Sequence, residues 1–256
     1  MTVIFLHHDI IAPEARRPSG FQGPGTEIYK VSVDQFREEL RLLAHAFPRV
    51  QPDWRAGAPF ALTFDDGGVS ATEVVADILA ERAWRAQFFI VTGFLGMPGF
   101  VSASGLRALK AAGHEIGTHT VTHPEQLHAK PYRRIRREWS DSRARLEDVL
   151  GAPVTSGSVP GGQCSRAVRA AAIEAGLETL MTSEPTTRGA DCEPLTVRGR
   201  FAVRAQDCPR GPALLAQKVL RQRLKALRWR ALNVAKGALG PVYPPLREGL
   251  LRLRAL

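Results

Sequence analysis

The chain has 256 residues, of which 44% are hydrophobic and 23% charged. That is enough for one large domain with its own core, held without disulfide or metal staples. It excludes the disordered, collagen-like and coiled-coil classes. The formal net charge of +10 is unevenly placed: residues 1–209 carry 24 basic and 24 acidic residues, whereas 210–256 carry 11 basic residues and one acid, Glu248. The chain therefore reads as a neutral body, 1–209, followed by a basic tail, 210–256, and nucleic-acid binding is not expected of it. No uncharged apolar stretch is long enough for a spanning helix. Met1 to Leu6 lacks the basic lead-in of a signal peptide, and three sparse cysteines (Cys164, Cys192, Cys208) suit reduced thiols. A cytoplasmic setting is the expectation.

In chain order, Val3 to Leu6 reads as a strand, and Ser32 caps a helix from Val33 to about Phe47 in which Phe36, Leu40 and Leu43 recur at helical spacing. Phe60 to Phe64 is a strand, and Ser70 or Thr72 starts a helix reaching about Ala83. The strand Gln87 to Val91 is followed by a helix capped by Ser102 and stopped at Gly113. His114 to Thr118 is a strand, and Pro131 opens a long charged helix to Leu150. Pro153 to Val159 is extended, Ser165 caps a helix stopped by Gly176, and Leu177 to Thr182 and Leu195 to Val203 are further strands. This βα alternation predicts an α/β protein with a parallel sheet or barrel and its helices outside. In such folds the chemistry belongs at the carboxyl ends of the strands.

Four segments meet that condition. Thr63-Phe64-Asp65-Asp66-Gly67-Gly68 places two adjacent carboxylates at a strand end, where a glycine turn can converge both on one cavity. His119-Thr120-Val121-Thr122-His123 places two imidazoles four apart, on one face of a helical turn and able to close on one ion. No glutamate sits between them, so a general base has to come from elsewhere, and the Asp65-Asp66 pair can supply it. Two histidines and a carboxylate form an open three-ligand site that suits Zn²⁺ and equally non-haem Fe(II). A spare carboxylate beside the ligands favours hydrolysis. The other two segments are Ser158-Val159-Pro160-Gly161-Gly162 and Leu6-His7-His8-Asp9.

Thr63-Phe64-Asp65-Asp66-Gly67, with His119-Thr120-Val121-Thr122-His123 beginning 53 positions after Asp66, resembles the polysaccharide deacetylase family, carbohydrate esterase family 4. The resemblance covers roughly residues 1–204 and implies a distorted (β/α) barrel, a divalent metal (usually zinc) and hydrolysis of N-acetyl groups on amino sugars. By position it implies Asp65 as general base, and Asp66, His119 and His123 as metal ligands. Ser158-Val159-Pro160-Gly161-Gly162 stands where the family has Arg-x-Pro-aromatic-Gly, so the arginine that orients the base is missing and Gly161 replaces the aromatic residue. The family's oxyanion donor is the backbone amide at the Gly161 position, and Arg200 is a candidate for the missing cation. The family's late histidine acid is also absent. The first strand instead resembles a circularly permuted subset, with His8, ahead of His7, as the acid that protonates the leaving amine.

Elsewhere plain readings suffice. His45 and His128 suit the surface, and Arg133, Arg134, Arg136 and Arg137 a solvated helix face. Trp84 and Trp139 read as packing residues, with Trp139 a second-choice sugar platform, and Ser183-Glu184-Pro185-Thr186 as a loop able to line the pocket. Residues 213–235 predict a basic helix with Ala216, Leu220, Leu224, Leu227 and Ala231 on one face, ended before Pro241, Pro244 and Pro245. It suits packing on the barrel or peripheral contact with an anionic membrane, at the inner face if cytoplasmic. The expected reaction is removal of an N-acetyl group from an amino sugar in a glycan, a lipid-linked sugar or a nucleotide-linked sugar. An inactive carbohydrate-binding relative and a non-haem Fe(II) enzyme are the alternatives.

Overall fold

The computed structural model describes residues 1–12, 18–23 and 25–239. Among these, nine strands form one sheet in the order β11-β1-β4-β5-β6-β7-β8-β10-β9. They are β1 (Val3–His7), β4 (Phe60–Phe64), β5 (Gln87–Ile90), β6 (Glu115–Thr118), β7 (Ser156–Ser158), β8 (Thr179–Met181), β9 (Ala190–Cys192), β10 (Leu195–Arg198) and β11 (Phe201–Ala202). Every neighbouring pair is parallel except β10 with β9. The short strands β2 (Ile10–Ile11) and β3 (Val31–Ser32) pair separately.

Helices α1 (Val33–Ala46), α2 (Ala76–Ala80), α3 (Ala103–Ala111), α4 (Tyr132–Leu150) and α5 (Arg166–Glu174) lie between the strands. Ser32, Ser102 and Ser165 cap α1, α3 and α5 by accepting from the backbone N–H groups of Gln35, Gly105 and Val168, which satisfies donors that a helix start leaves orphaned. The turn before α2, Ala71–Val75, winds as a π-helix, where an ordinary helix was expected.

The stretch expected as one strand, Leu195 to Val203, is two strands far apart in the sheet order: β11 is one edge strand, and β10 is second from the other edge, inside β9. β10 pairs with β8 and β11 pairs with β1, with only Gly199 and Arg200 between them. Three peptide units reach about 11 Å at most. The two ends of the sheet are therefore drawn together and the sheet curls into a (β/α) barrel. Gly199 is required at this crossing, because a Cβ would stand 2.4 Å from the Glu184 carbonyl oxygen.

Strand alternation sorts the barrel. Val3, Phe5, Phe60, Leu62, Phe64, Phe88 and Ile90 pack outward under the helices. Ile4, Ala61, Phe89 and Met181 pack together inside. The same parity carries Thr63 and Asp65 inward with Ala61, and places His7 with the outward set and His8 with the inward one.

The helix expected over 213–235 is two helices, α6 (Arg210–Gln217) and α7 (Val219–Leu239), separated at Lys218, whose backbone is extended. Ala213 and Leu215 of α6 join the main core. Pro241, Pro244, Pro245 and Glu248 lie outside the described residues.

Gly117 on β6 has no room for a side chain, since a Cβ would approach Phe89 and Ser156 at 2.6 and 2.7 Å. Gly117→Ala is expected to lower stability by about 1–3 kcal/mol, read as a lower denaturant midpoint at unchanged slope. An unchanged midpoint would contradict this packing of the barrel interior.

Candidate active site

The carboxyl ends of β4, β6 and β7 and the β10–β11 crossing bring Asp65, Asp66, His119, His123, Ser158 and Arg200 into one buried cluster. Asp65 stands in the barrel and Asp66 follows it at φ 73°. That left-handed turn is what lets adjacent residues face the same cavity, since adjacent residues on a regular strand point apart.

Arg200 is completely buried. Its Nη1 donates to Asp65 Oδ1 at 2.7 Å and to Thr63 Oγ1 at 3.1 Å. Its Nη2 donates to Asp65 Oδ2 and Ser158 Oγ, each at 2.7 Å, and its Nε to the Thr182 carbonyl at 3.2 Å. All five guanidinium N–H groups thus have acceptors, the condition on which a buried arginine is tolerable. The Ser158 hydroxyl donates to Asp65 Oδ2 at 2.9 Å. Burial opposes ionisation of Asp65, but Arg200, with help from His119, outweighs it and holds the carboxyl well below the usual range. A cation is therefore present beside Asp65 although position 158 is a serine; it is delivered from the β10–β11 crossing.

Asp66, His119 and His123 offer one ligand atom each, all within 4.8 Å of one another. Asp66 Oδ1 lies 3.5 Å from His119 Nε2 and 3.6 Å from His123 Nε2. Two ligand atoms bonded to one tetrahedral zinc ion are separated by about 3.3 Å. Asp66 Oδ1 is buried with no hydrogen-bond partner, an orphan that a cation would satisfy. His119 Nδ1 donates to the Ser158 carbonyl at 2.8 Å, so its Nε2 carries the lone pair turned toward Asp66. Burial pushes His119 down to about 3 despite the opposing charge of Asp65, which keeps the imidazole neutral as a ligand must be. Burial and the neighbouring charges of Asp65 and Asp9 push Asp66 well up, so the site without a cation disfavours its ionisation.

The loop that carries both histidines is strained and braced. Thr120 has φ 70° and His123 φ 52°, conformations unusual for these residues. Glu138 of α4 accepts from the Val121 and Thr122 amides at 3.0 and 2.9 Å and from Thr122 Oγ1 at 2.6 Å. The Ser142 hydroxyl donates to the Thr120 carbonyl. The sequence alone offered no signal for Glu138, which reads as one more acid on a charged helix.

His7 and His8 part as alternation requires. His7 is buried outward, stacked on Phe64 and bonded to Glu39 at 3.2 Å. His8 lies on the site side, its ring 4.6 Å from Tyr29, with Asp65, Arg200 and His123 close enough to act on its charge. Burial, only partly opposed by Asp65, pushes it down to about 4. Asp9 accepts from Ser19 Oγ and Ser70 Oγ at 2.5 and 3.0 Å, tying the loop at 18–20 to the turn after β4. Phe21 of that loop lies 5.1 Å from the His123 ring and forms an apolar wall with Phe94 and Phe100. Tyr29 and Phe21 were invisible in the sequence because their roles depend on loops folding back over the mouth.

Gly161 follows β7 in a short turn at φ 67°, where a Cβ would meet the Glu125 carbonyl oxygen at 2.7 Å. Only glycine fits both constraints. Trp139 is completely buried, so it packs the core and offers no face to a sugar.

The barrel thus brings together two histidines and an aspartate that could hold a cation, with a second aspartate beside them. Residues 56–180 match the polysaccharide deacetylase family. The chain is 39% identical over 80 residues to a chitooligosaccharide deacetylase of Sinorhizobium fredii, covering 30% of this chain and 35% of that protein. It is 35% identical over 66 residues to a chitin deacetylase of Colletotrichum lindemuthianum, covering 25% and 27%. The chain thus spans about a third or less of the length of these curated relatives. In fold it is similar to IcaB from Ammonifex degensii, with TM-score 0.69, 20% identity and coverage of 85% of this chain and 97% of that one. The deacetylase PplD of Streptococcus pyogenes is similar too, with TM-score 0.67, 19% identity and coverage of 84% and 97%.

Removing Arg200 would strand a buried carboxylate. Arg200→Ala is expected to cost about 3–5 kcal/mol of stability, and Arg200→Lys to recover only part of it because an ammonium cannot fork onto Asp65 and Ser158 together. Denaturant unfolding of the three proteins tests this. Equal midpoints would show that the pair is not formed.

Proposed function

We propose that this protein is a metal-dependent hydrolase that removes the N-acetyl group from an amino sugar in a glycan, a lipid-linked sugar or a nucleotide-linked sugar. The observation that carries the reading is the orphaned Asp66 oxygen facing two imidazole nitrogens, with a separate, arginine-held carboxylate beside them. The match of residues 56–180 to the polysaccharide deacetylase family supports the substrate class. The donor set, two neutral imidazoles and one carboxylate, fits Zn²⁺ or another divalent cation. A cation held by Asp66, His119 and His123 supplies Lewis-acid polarisation of the acetamide carbonyl and acidification of water.

The chain's own residues do the rest. Asp65 accepts the proton of the attacking water; Arg200 and Ser158 hold it anionic and fix its direction, so it acts as a base of one orientation. The turn at Pro160–Gly162 brings the Gly161 amide to the end of β7, where it serves as donor to the developing oxyanion, worth about 3 kcal/mol. The proton must then reach the leaving nitrogen. His8, neutral at rest, accepts it and, as an acid of low pKa, yields it to the amine. The products are acetate and a free amino sugar. Phe21 and Tyr29 pack their rings against His123 and His8 at the edge of the site. The spare base favours hydrolysis over Fe(II) oxygen chemistry, and the bonded state of that base favours an active enzyme over a carbohydrate-binding relative. The cytoplasmic setting suggested by the sparse cysteines remains part of this reading; no described helix is long and apolar enough to cross a membrane.

Acetate release from N-acetylated oligosaccharides and nucleotide sugars is the test. Activity is expected to vanish on chelation and to return with zinc, and Asp65→Asn is expected to bind zinc but lose at least about 10²-fold in kcat. Chelator-resistant turnover would overturn the assignment. Between the two histidines, His8→Ala is expected to lower kcat by about 10²-fold or more, whereas His7→Ala, which takes the partner from the buried Glu39 Oε2, acts on stability. A full kcat loss in His7→Ala with His8→Ala unaffected would reverse their roles.

A further inference from the structure

The last described helix has an unusual face. Leu220, Leu224 and Leu227 of α7 are 69%, 59% and 69% exposed, and Val219 is 57% exposed. At 100° per residue the three leucines fall within a 60° arc. The opposite side of the helix turns to the body: Gln222 is buried and donates to the Leu215 carbonyl at 2.7 Å, and Ala226 and Trp229 are half-buried. The leucine stripe thus points directly away from the protein. Arg221, Lys225 and Arg228 flank it on one side and Arg223 and Arg230 on the other, and no acidic residue occurs between Asp207 and Glu248. A helix that packed its leucines on the barrel would bury them; this one buries its other face.

Its position adds a second observation. Arg230 pairs with Glu184, in the loop that leaves the carboxyl end of β8, at 3.3 Å. Lys225 lies close enough to Arg204 and Asp207, just past β11, for their charges to act on it. The Arg204 guanidinium stands 5.8 Å from the Tyr29 ring, which packs on His8. The helix therefore borders the same end of the barrel as the site.

We infer that α7 seats the protein on an anionic bilayer through Leu220, Leu224 and Leu227, beside the site's mouth, so that the N-acetylated amino sugar it acts on is one carried on a lipid. Leucines inserted at the level of the acyl boundary and flanking arginines at the headgroups are the arrangement of an interfacial helix. Charge selects the surface: five basic side chains flank the stripe with no acid among them, so anionic lipid is preferred over zwitterionic. The substrate part rests on the deacetylase reading; the docking part does not.

The test uses the full chain and two vesicle compositions, equimolar phosphatidylglycerol and phosphatidylcholine against phosphatidylcholine alone. Sedimentation is expected to bring down the protein with the anionic vesicles only, and L220S/L224S/L227S to reduce that fraction by about tenfold or more. Acetate release is then measured from a soluble N-acetylated chitooligosaccharide and from an N-acetylglucosamine headgroup on a synthetic lipid anchor in the anionic vesicles. The triple variant is expected to retain turnover of the soluble sugar and to lose about tenfold on the anchored one. Failure to bind anionic vesicles, equal binding by the variant, or light scattering that shows the stripe covered in a stable dimer would overturn the inference. Equal turnover of the anchored sugar by both proteins would overturn its substrate part. Vesicle binding with no acetate from either sugar would instead overturn the deacetylase reading and leave the docking surface standing.

Discussion

The ion pair between Asp65 and Arg200 is the constraint on which the site depends. A carboxylate enclosed in a barrel is costly unless paired and hydrogen-bonded. Here it is met by a two-pronged guanidinium whose remaining N–H groups are taken by Thr63, Ser158 and Thr182. Those acceptors sit on β4, β7 and the end of β8, and Arg200 itself bridges β10 and β11. One side chain therefore ties together strands from both sides of the barrel seam, and it divides the labour of the two aspartates. Both Asp65 oxygens have partners, while Asp66 Oδ1 has none. A held carboxylate with a lone pair to spare suits a base of one direction; an unpartnered buried oxygen suits a ligand.

The same economy explains where the cation-directed parts come from. Ser158 is small, yet its hydroxyl bonds both Asp65 and Arg200, and its carbonyl orients His119. With the cation at position 200, a small residue at 158 serves both halves of the centre. The strain at Thr120 and His123 is held by interactions outside the centre, chiefly Glu138 and Ser142 on α4. Helix α4 is thus a frame for the histidine loop as well as a wall of the barrel.

Much of this was legible in the sequence, for identifiable reasons. The βα alternation is a periodicity signal, and Ser32, Ser102 and Ser165 mark helix starts by chemistry that is local. Strand-end placement singled out Asp65, Asp66, His119 and His123, and the structure brings all four together. The parity of β1 also separates His8 from His7 without further information. What stayed hidden depends on tertiary partners. Leu195 to Val203 has the propensity of one strand, and nothing local says that its halves pair at opposite ends of the sheet order. The break at Lys218 follows from α6 burying Ala213 and Leu215 in the core while α7 turns its leucines outward. Glu138, Phe21 and Tyr29 gain their roles only once distant loops and helices pack against the site.

The central claim is that the two adjacent aspartates have different partners: Asp66 a cation, Asp65 an arginine. Zinc-edge anomalous diffraction from crystals of the zinc-loaded protein tests it in a single experiment. One peak bonded to Asp66, His119 and His123 is expected, with Asp65 still forked onto Arg200. A peak bonded to Asp65, or Arg200 withdrawn from the carboxylate when zinc is present, would contradict it.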